Sequence, residues 1–235
     1  MLRLTDVSEH QNRPSFKRLK NEDNIAGAAA KMTEGWGYVD PDGVENLKNI
    51  VAVELVPLAY HFFWGGAPAG KGPRHQAEFL LRQIKKATNP MRVVPVIDVE
   101  LSSSMERKHH PTFPDVREFL QRLEDLLPGK RTCIYAGYYW RDHLNNRAIA
   151  DLNLKRRPII FDAHYFHSTG ASAASFAQYA NRIPNGYWGN PAFGHAEADI
   201  VQFSDRVRFS EFVGDADLAN TDLDGLRGWA KASNE

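Results

Sequence analysis

The chain has 235 residues, with 29 Lys and Arg balanced by 29 Asp and Glu for a formal net charge of zero. That length fits one large domain, residues 1–235, of a size that barrel folds reach without splitting. Zero net charge lacks the basic stripe that a nucleic-acid partner requires and gives no electrostatic membrane anchor, and a single cysteine, Cys133, excludes an intrachain disulfide.

Taken in order, the chain alternates strand-like and helix-like segments. "MLRLTDVSEH" has no long apolar region and no small-residue cleavage site, so no signal peptide is expected. No stretch is long and apolar enough to enter a bilayer. "LRLTDVS" reads as a strand, "SFKRLKNED" as a short helix, and "IAGAAAKMTEG" as a second apolar run. "DPDGVENLKNIVAVE" predicts a helix, with Asp42 as its cap and Glu45 as the capping-box partner. "VPLAYHFF" is a third strand, followed by the Gly/Pro-rich "WGGAPAGKGP", which lacks the ending of a phosphate loop. In "HQAEFLLRQIKKA", Ala77, Leu80, Leu81 and Ile84 share one helical face. "RVVPVIDVE" is the fourth strand, and "FPDVREFLQRLEDLLPG" a helix striped by Val116, Phe119, Leu120, Leu123 and Leu127. "TCIYAGYYW" and "PIIFDAHYF" supply strands five and six, with Cys133 a small buried hydrophobe in the former. "ADIVQFSD" and "VGDADLA" supply two more, with no full helix between them.

Strands alternating with helices imply parallel pairing. Eight strand candidates in this length predict an irregular α/β, TIM-like barrel with about five helical crossovers, (β/α)5β3. Functional residues of such barrels lie at the C-terminal ends of strands. The polar residues at those ends here are Asp6, Lys31, Glu34, His61, Asp98, Glu100, Gln202 and Asp217.

"VVPVIDVELSSS" places two acids two positions apart after an unbroken apolar run. Side chains alternate along a strand, so Asp98 and Glu100 point the same way and Val99 the other. Two close carboxylates oppose each other's ionisation, leaving one neutral acid and one anion at the same pH. Glycoside cleavage needs such a pair: a proton for the leaving oxygen and a negative charge for the developing oxocarbenium ion. An acid-x-acid pair alone also fits metal ligands or a solvated strand end.

With those elements in place, the chain resembles the family 25 glycoside hydrolases, the Chalaropsis-type lysozymes, many of which are phage endolysins. "TDVSEHQ" is similar to the family's opening Asp-Val-Ser strand, and "KMTEGWGYVD" to its Lys-x-Thr-Glu-Gly turn. "AYHFF" with "QAEFLL", "PVIDVE", "IYAGYYW" and "GDADLAN" follow in the family's order. The resemblance implies a barrel that cleaves the β-1,4 bond between N-acetylmuramic acid and N-acetylglucosamine in peptidoglycan. It assigns Glu100 as general acid and Asp98 as the carboxylate that orients the substrate's N-acetyl group. Asp6 and Asp217 match the flanking acids, with Asp215 a rival for the latter. It further implies a monomer without metal or cofactor, held in the cytoplasm of a phage-infected cell until release onto the wall. Two departures fall on the expected sugar groove. "ADIVQFSD" keeps Gln202 but not the family's Trp-Gln-Tyr aromatics, and "IIFDAHYF" carries Asp162 inside an apolar strand.

Tyr60, Tyr135 and Tyr165 fall on strand ends, where their faces can stack on sugars or pack in the core. His61 can line the groove or serve as a hydrogen-bonded structural residue. Lys31 and Glu34 can pair and brace their turn. His109 and His110, in a Pro-flanked polar loop, read as solvated surface rather than metal ligands. A metal-dependent barrel hydrolase and a non-catalytic wall-binding barrel remain as alternatives.

Overall fold

The computed structural model describes residues 1–102, 105–167 and 172–231. Its strands are β1 (Leu2–Val7), β2 (Ile25–Glu34), β3 (Tyr38–Val39), β4 (Val56–Phe62), β5 (Val94–Asp98), β6 (Cys133–Ala136), β7 (Ile159–Ala163), β8 (Pro191–Phe193), β9 (Ala196–Glu197), β10 (Ile200–Arg208) and β11 (Val213–Ala219). The helices are α1 (Phe16–Glu22), α2 (Gly43–Ala52), α3 (Pro73–Ala87), α4 (Phe113–Leu126), α5 (Tyr138–Asp142), α6 (Phe176–Ala180) and α7 (Leu223–Trp229). Among the described residues no helix is long and apolar enough to cross a membrane.

The main sheet runs β1-β11-β10-β7-β6-β5-β4-β2-β3, and a β1–β2 pairing closes all but β3 into the expected eight-stranded barrel. From β1 through β2, β4, β5, β6 and β7 to β10 every pairing is parallel. The chain turns from β10 into β11 without a helix, so β11 is antiparallel to both β10 and β1. Helices α1 to α4 and the short α5 make the parallel crossovers, as the pattern predicts, while α6 and the β8–β9 hairpin occupy the connection from β7 to β10.

Two local expectations are corrected. Asp42 makes no capping bond: its backbone N–H donates to Asp40 Oδ1 (3.0 Å), and its carboxylate accepts from Arg13 Nε (2.6 Å). "IYAGYYW" is not one strand. It stops at Ala136 and becomes α5 because Gly137 lies against the next strand, where a Cβ would sit 2.4 Å from the Ala163 carbonyl oxygen.

Strand alternation sorts the side chains into two layers. Outward residues such as Ile97, Ile134 and Ile160 pack with Leu80, Ile84, Phe119 and Leu123 of α3 and α4. Inward residues Leu4, Ala29, Leu58, Val96, Cys133, Ile159 and Ile200 form a separate apolar plug, joined by Leu226 and Ala230 at the chain's C-terminal end. The plug is built from apolar side chains, with Asp217 buried at the level of Leu4, so the carboxylates stacked above it lose water on their inner side.

Candidate active site

Above the plug, the barrel mouth opens into a cleft of about 870 Å³. β5 supplies its central acids. Their position follows from the strand's hydrogen bonding: the Val99 N–H donates to the Tyr135 carbonyl (2.9 Å), and the Asp98 carbonyl accepts from the Phe63 N–H (3.0 Å). The strand-like pairing therefore continues past Asp98 and carries Glu100 to the cleft on the same face. Asp6, Lys31, Asp98, Glu100, Gln202 and Asp215 line this space together with Tyr60, Tyr135 and Tyr165.

Gln202 ties the far wall together. Its Oε1 accepts from the hydroxyls of Tyr135 (2.7 Å) and Tyr165 (2.8 Å), and its Nε2 donates to Asp6 Oδ2 (2.8 Å). This fixes the amide orientation and holds both tyrosines at the cleft, with Gln202 only 3% exposed. The aromatic residues missing from the β10 motif are thus offset by tyrosines from β6 and from the segment after β7.

The electrostatics follow from many acids sharing little water. Burial, opposed by the Gln202 bond, pushes Asp6 up to about 6. Burial and the Asp6 charge push Glu100 up to about 7, against the lowering effect of Lys31. Asp98 is raised well above the usual carboxylate range, by burial first and by Glu100 second. Asp98 is 6% exposed and its Oδ1 has no hydrogen-bond partner among the described residues, whereas Glu100 is half-buried. Both acids of the pair are therefore raised in the open cleft, each by burial first.

Asp6 is the neighbouring carboxylate that raises Glu100. Asp6→Asn should therefore lower the Glu100 pKa. A general acid works only while protonated, so the alkaline limb of the kcat/KM profile should move to lower pH. An unmoved limb in the folded variant would show that Asp6 does not set this titration.

Several expected site residues lie elsewhere. His61 follows Tyr60 directly, and alternation turns it outward: it is fully buried, its Nδ1 pairs with Thr33 Oγ1 (2.8 Å), its Nε2 pairs with Gln76 Oε1 (2.9 Å), and it stacks on Phe119. It is a structural histidine, held neutral by a pKa lowered to about 4 through burial. Glu34 lies outside the cleft and accepts from Lys31 Nζ (2.7 Å).

Asp217 is 1% exposed and does not line the cleft, while Asp215 does. The reason is direction: β11 runs antiparallel, so the barrel mouth meets its beginning. Asp217 pairs in register with Leu4, a layer below Asp6, and is raised well above its ordinary value by burial. Asp162 also points away from the groove, contrary to expectation. It is buried beneath Arg141 Nη1 (3.2 Å) and the Tyr187 hydroxyl (2.6 Å).

Sequence reasoning missed Ser8, His10 and Gln11, which line the cleft just after β1, and Phe62 and Phe161. The two phenylalanines were detectable by alternation, since Phe62 shares a face with Tyr60. Cys133 is buried, as expected. Among the described residues, no group of three or more His, Cys, Asp or Glu is placed to hold a metal ion.

A closed barrel of this topology with a carboxylate-lined mouth is the architecture of a barrel glycosidase. Residues 5–183 match the family model of glycosyl hydrolases family 25. The chain belongs to that family and is a glycoside hydrolase. Solved structures with the same fold include a muramidase from Trichobolus zukalii (21% identity, TM-score 0.71, covering 99% of this chain and 100% of that one). A lysozyme from Streptomyces coelicolor also aligns (19% identity, TM-score 0.73, 97% and 96%). So does the catalytic domain of endolysin ply40 from bacteriophage P40 of Listeria monocytogenes (16% identity, TM-score 0.67, 97% and 98%). Comparison with curated proteins gives no match.

Proposed function

We propose that the protein is a peptidoglycan muramidase, hydrolysing the β-1,4 bond from N-acetylmuramic acid to N-acetylglucosamine. The observation that carries this reading is Glu100: a half-buried acid at the barrel mouth, raised to about 7 and so able to hold a proton at neutral pH. Glu100 donates that proton to the glycosidic oxygen as the N-acetylglucosamine O4 departs. The substrate's own acetamido oxygen attacks the anomeric carbon of muramic acid from the opposite face. Asp98, through its unpartnered Oδ1, accepts the acetamido N–H and orients that attack. Asp98 takes part as the carboxylate, its negative charge offsetting the partial positive charge that develops on the acetamido group. Water then opens the cyclic intermediate, with the Glu100 carboxylate as base. Asp6 and Asp215 are the flanking acids, and the tyrosines held by Gln202 offer faces and hydroxyls to the sugars.

The substrate assignment is supported by family membership and by muramidases and lysozymes among the proteins of like fold. On this reading the protein works as a monomer, without a metal, on the bacterial wall. The test is digestion of purified peptidoglycan in EDTA, followed by borohydride reduction. The expected product is muramitol. Glucosaminitol alone, or free peptide amines alone, would refute the bond assignment, and activity present only without EDTA would favour a metal-dependent hydrolase.

A further inference from the structure

Two histidines outside the cleft pack against aromatic rings. His109, expected as solvated surface, lies against Trp36 and Trp64, with ring centroids 5.1 Å and 5.5 Å away. His167 lies against Tyr165, which lines the cleft, while His167 itself does not.

The backbone explains the second contact. After β7 the chain stays paired to β10: the His164 N–H donates to the Gln202 carbonyl (2.9 Å) and the Phe166 N–H to the Phe203 carbonyl (3.4 Å). Strand-like alternation therefore continues past Ala163. His164 and Phe166 share the outer side, where their rings stack 4.7 Å apart. Tyr165 and His167 share the other side, stacked at 5.4 Å with 18° between their planes.

His167 is held in turn from two directions. Its Nε2 lies 3.2 Å from Asp205 Oδ1, and its side chain is only 4% exposed. The buried Tyr179 ring of α6 packs 5.0 Å from it, and the Tyr179 hydroxyl donates to the Ser172 carbonyl (2.6 Å). Asp205 reaches His167 because β10 is irregular. Phe203 packs in the outer layer, so strict alternation would turn Asp205 outward as well. The register against β11 shifts between Ser204 and Val207, and such a bulge re-aims the side chain inside it. Asp205 thereby comes to the mouth side, where its charge joins burial and Asp6 in raising Asp215.

We propose that His167 and Asp205 form a clamp that positions Tyr165 for the sugar, an inference that rests on the muramidase reading. Tyr165 is 42% exposed, and its hydroxyl donates to Gln202 Oε1 (2.8 Å). Rotation about the axis from Cγ to the hydroxyl leaves that bond in place, so the bond alone does not set the tilt of the ring. The stacked face of His167 does, and Asp205 and Tyr179 hold that face. A ring fixed in advance spares the ordering cost that a mobile one meets when the sugar binds. His167 is thus a positioning residue, touching Tyr165 rather than the glycan. The binding it supports is shared by ground and transition states, so it acts on KM rather than on kcat.

The experiment measures kcat and KM on soluble peptide-free glycan, with Tm alongside. His167→Ala should raise KM about three- to tenfold and leave kcat within about twofold. His167→Phe, which keeps a flat ring against Tyr165, should recover much of the loss. In a Tyr165→Ala background, His167→Ala should raise KM no further, because no ring is left to position. Unchanged KM in folded His167→Ala, or a loss confined to kcat, would overturn the clamp. So would an equal loss with and without Tyr165, which is what a merely structural histidine gives. Should His167→Ala fail to fold, Asp205→Ala makes the same comparison at a position whose side chain is 41% exposed. Its rise in KM should likewise vanish without Tyr165, and a rise that persists there would overturn the clamp. If the wild type left the glycan uncut, the muramidase reading would fall first and take the clamp with it.

Discussion

Glu100→Gln should reduce hydrolysis of peptidoglycan by roughly 10²–10⁴-fold while leaving glycan binding intact. The substitution keeps the shape of the side chain and its place at the barrel mouth, but an amide cannot give up a proton to the leaving oxygen. Glu100 is half-buried and raised to about 7, so at neutral pH the wild-type site divides between proton donor and anion. Wild-type kcat/KM should accordingly fall as pH rises through that region, while any residual Glu100→Gln activity should lose this limb. The measurement is turnover of soluble glycan from pH 4 to 9, with binding followed separately and folding checked by circular dichroism. Near-wild-type turnover by the folded variant would remove Glu100 from the chemistry and favour the metal-dependent alternative.

Much of this site was legible because periodicity acts locally. The apolar run before Asp98 and the i, i+2 spacing to Glu100 place both acids on one inward face, and the structure keeps them there. The same rule applied to Tyr60 and His61 forbids both from facing the sugar. The polar character of His61 suggested a site, yet its ring is absorbed by Thr33, Gln76 and Phe119 on the helix side. Asp162 misleads for the same reason: its neighbour Phe161 takes the inward position, so the acid must face the outer layer, where Arg141 and Tyr187 meet it.

Asp215 was harder to place. Functional residues gather at strand C-termini only while strands run parallel, and β11 reverses direction. Its mouth-facing acid is the earlier of the two, which depends on a pairing direction set far away in sequence. The support behind Tyr165 was also hidden, since it depends on a contact of His167 with Asp205, about forty residues apart.

Asp98→Asn should cost activity on the scale of Glu100→Gln and, at the same time, stabilise the folded protein at neutral and alkaline pH. The two effects share one cause. Asp98 sits on the apolar plug, 6% exposed, with Oδ1 unpartnered, close to Glu100 and Asp6. Its folded pKa is raised above the unfolded value, so in the window between the two the folded state binds more protons than the unfolded state. Stability then falls as pH rises through that window, and the penalty persists once the buried carboxylate is forced to ionise. A neutral amide of the same shape removes this penalty.

A stabilisation of about 1–3 kcal/mol is expected, because the amide keeps the unpaired oxygen but removes the cost of desolvating its charge. In a domain of this size that corresponds to a Tm increase of about 2–4 °C per kcal/mol. The difference between variant and wild type should shrink as pH falls towards the unfolded aspartate value of 3.8, below which the carboxyl is protonated in both states. Lower Tm for Asp98→Asn at pH 8 would mean that the anion is well solvated in the free enzyme. Retained turnover would mean that the acetamido N–H is oriented by another acceptor, with Asp215 the next acid on the cleft wall. With both expected outcomes in hand, the unpartnered oxygen would be a folding cost retained because the substrate's N–H is its partner.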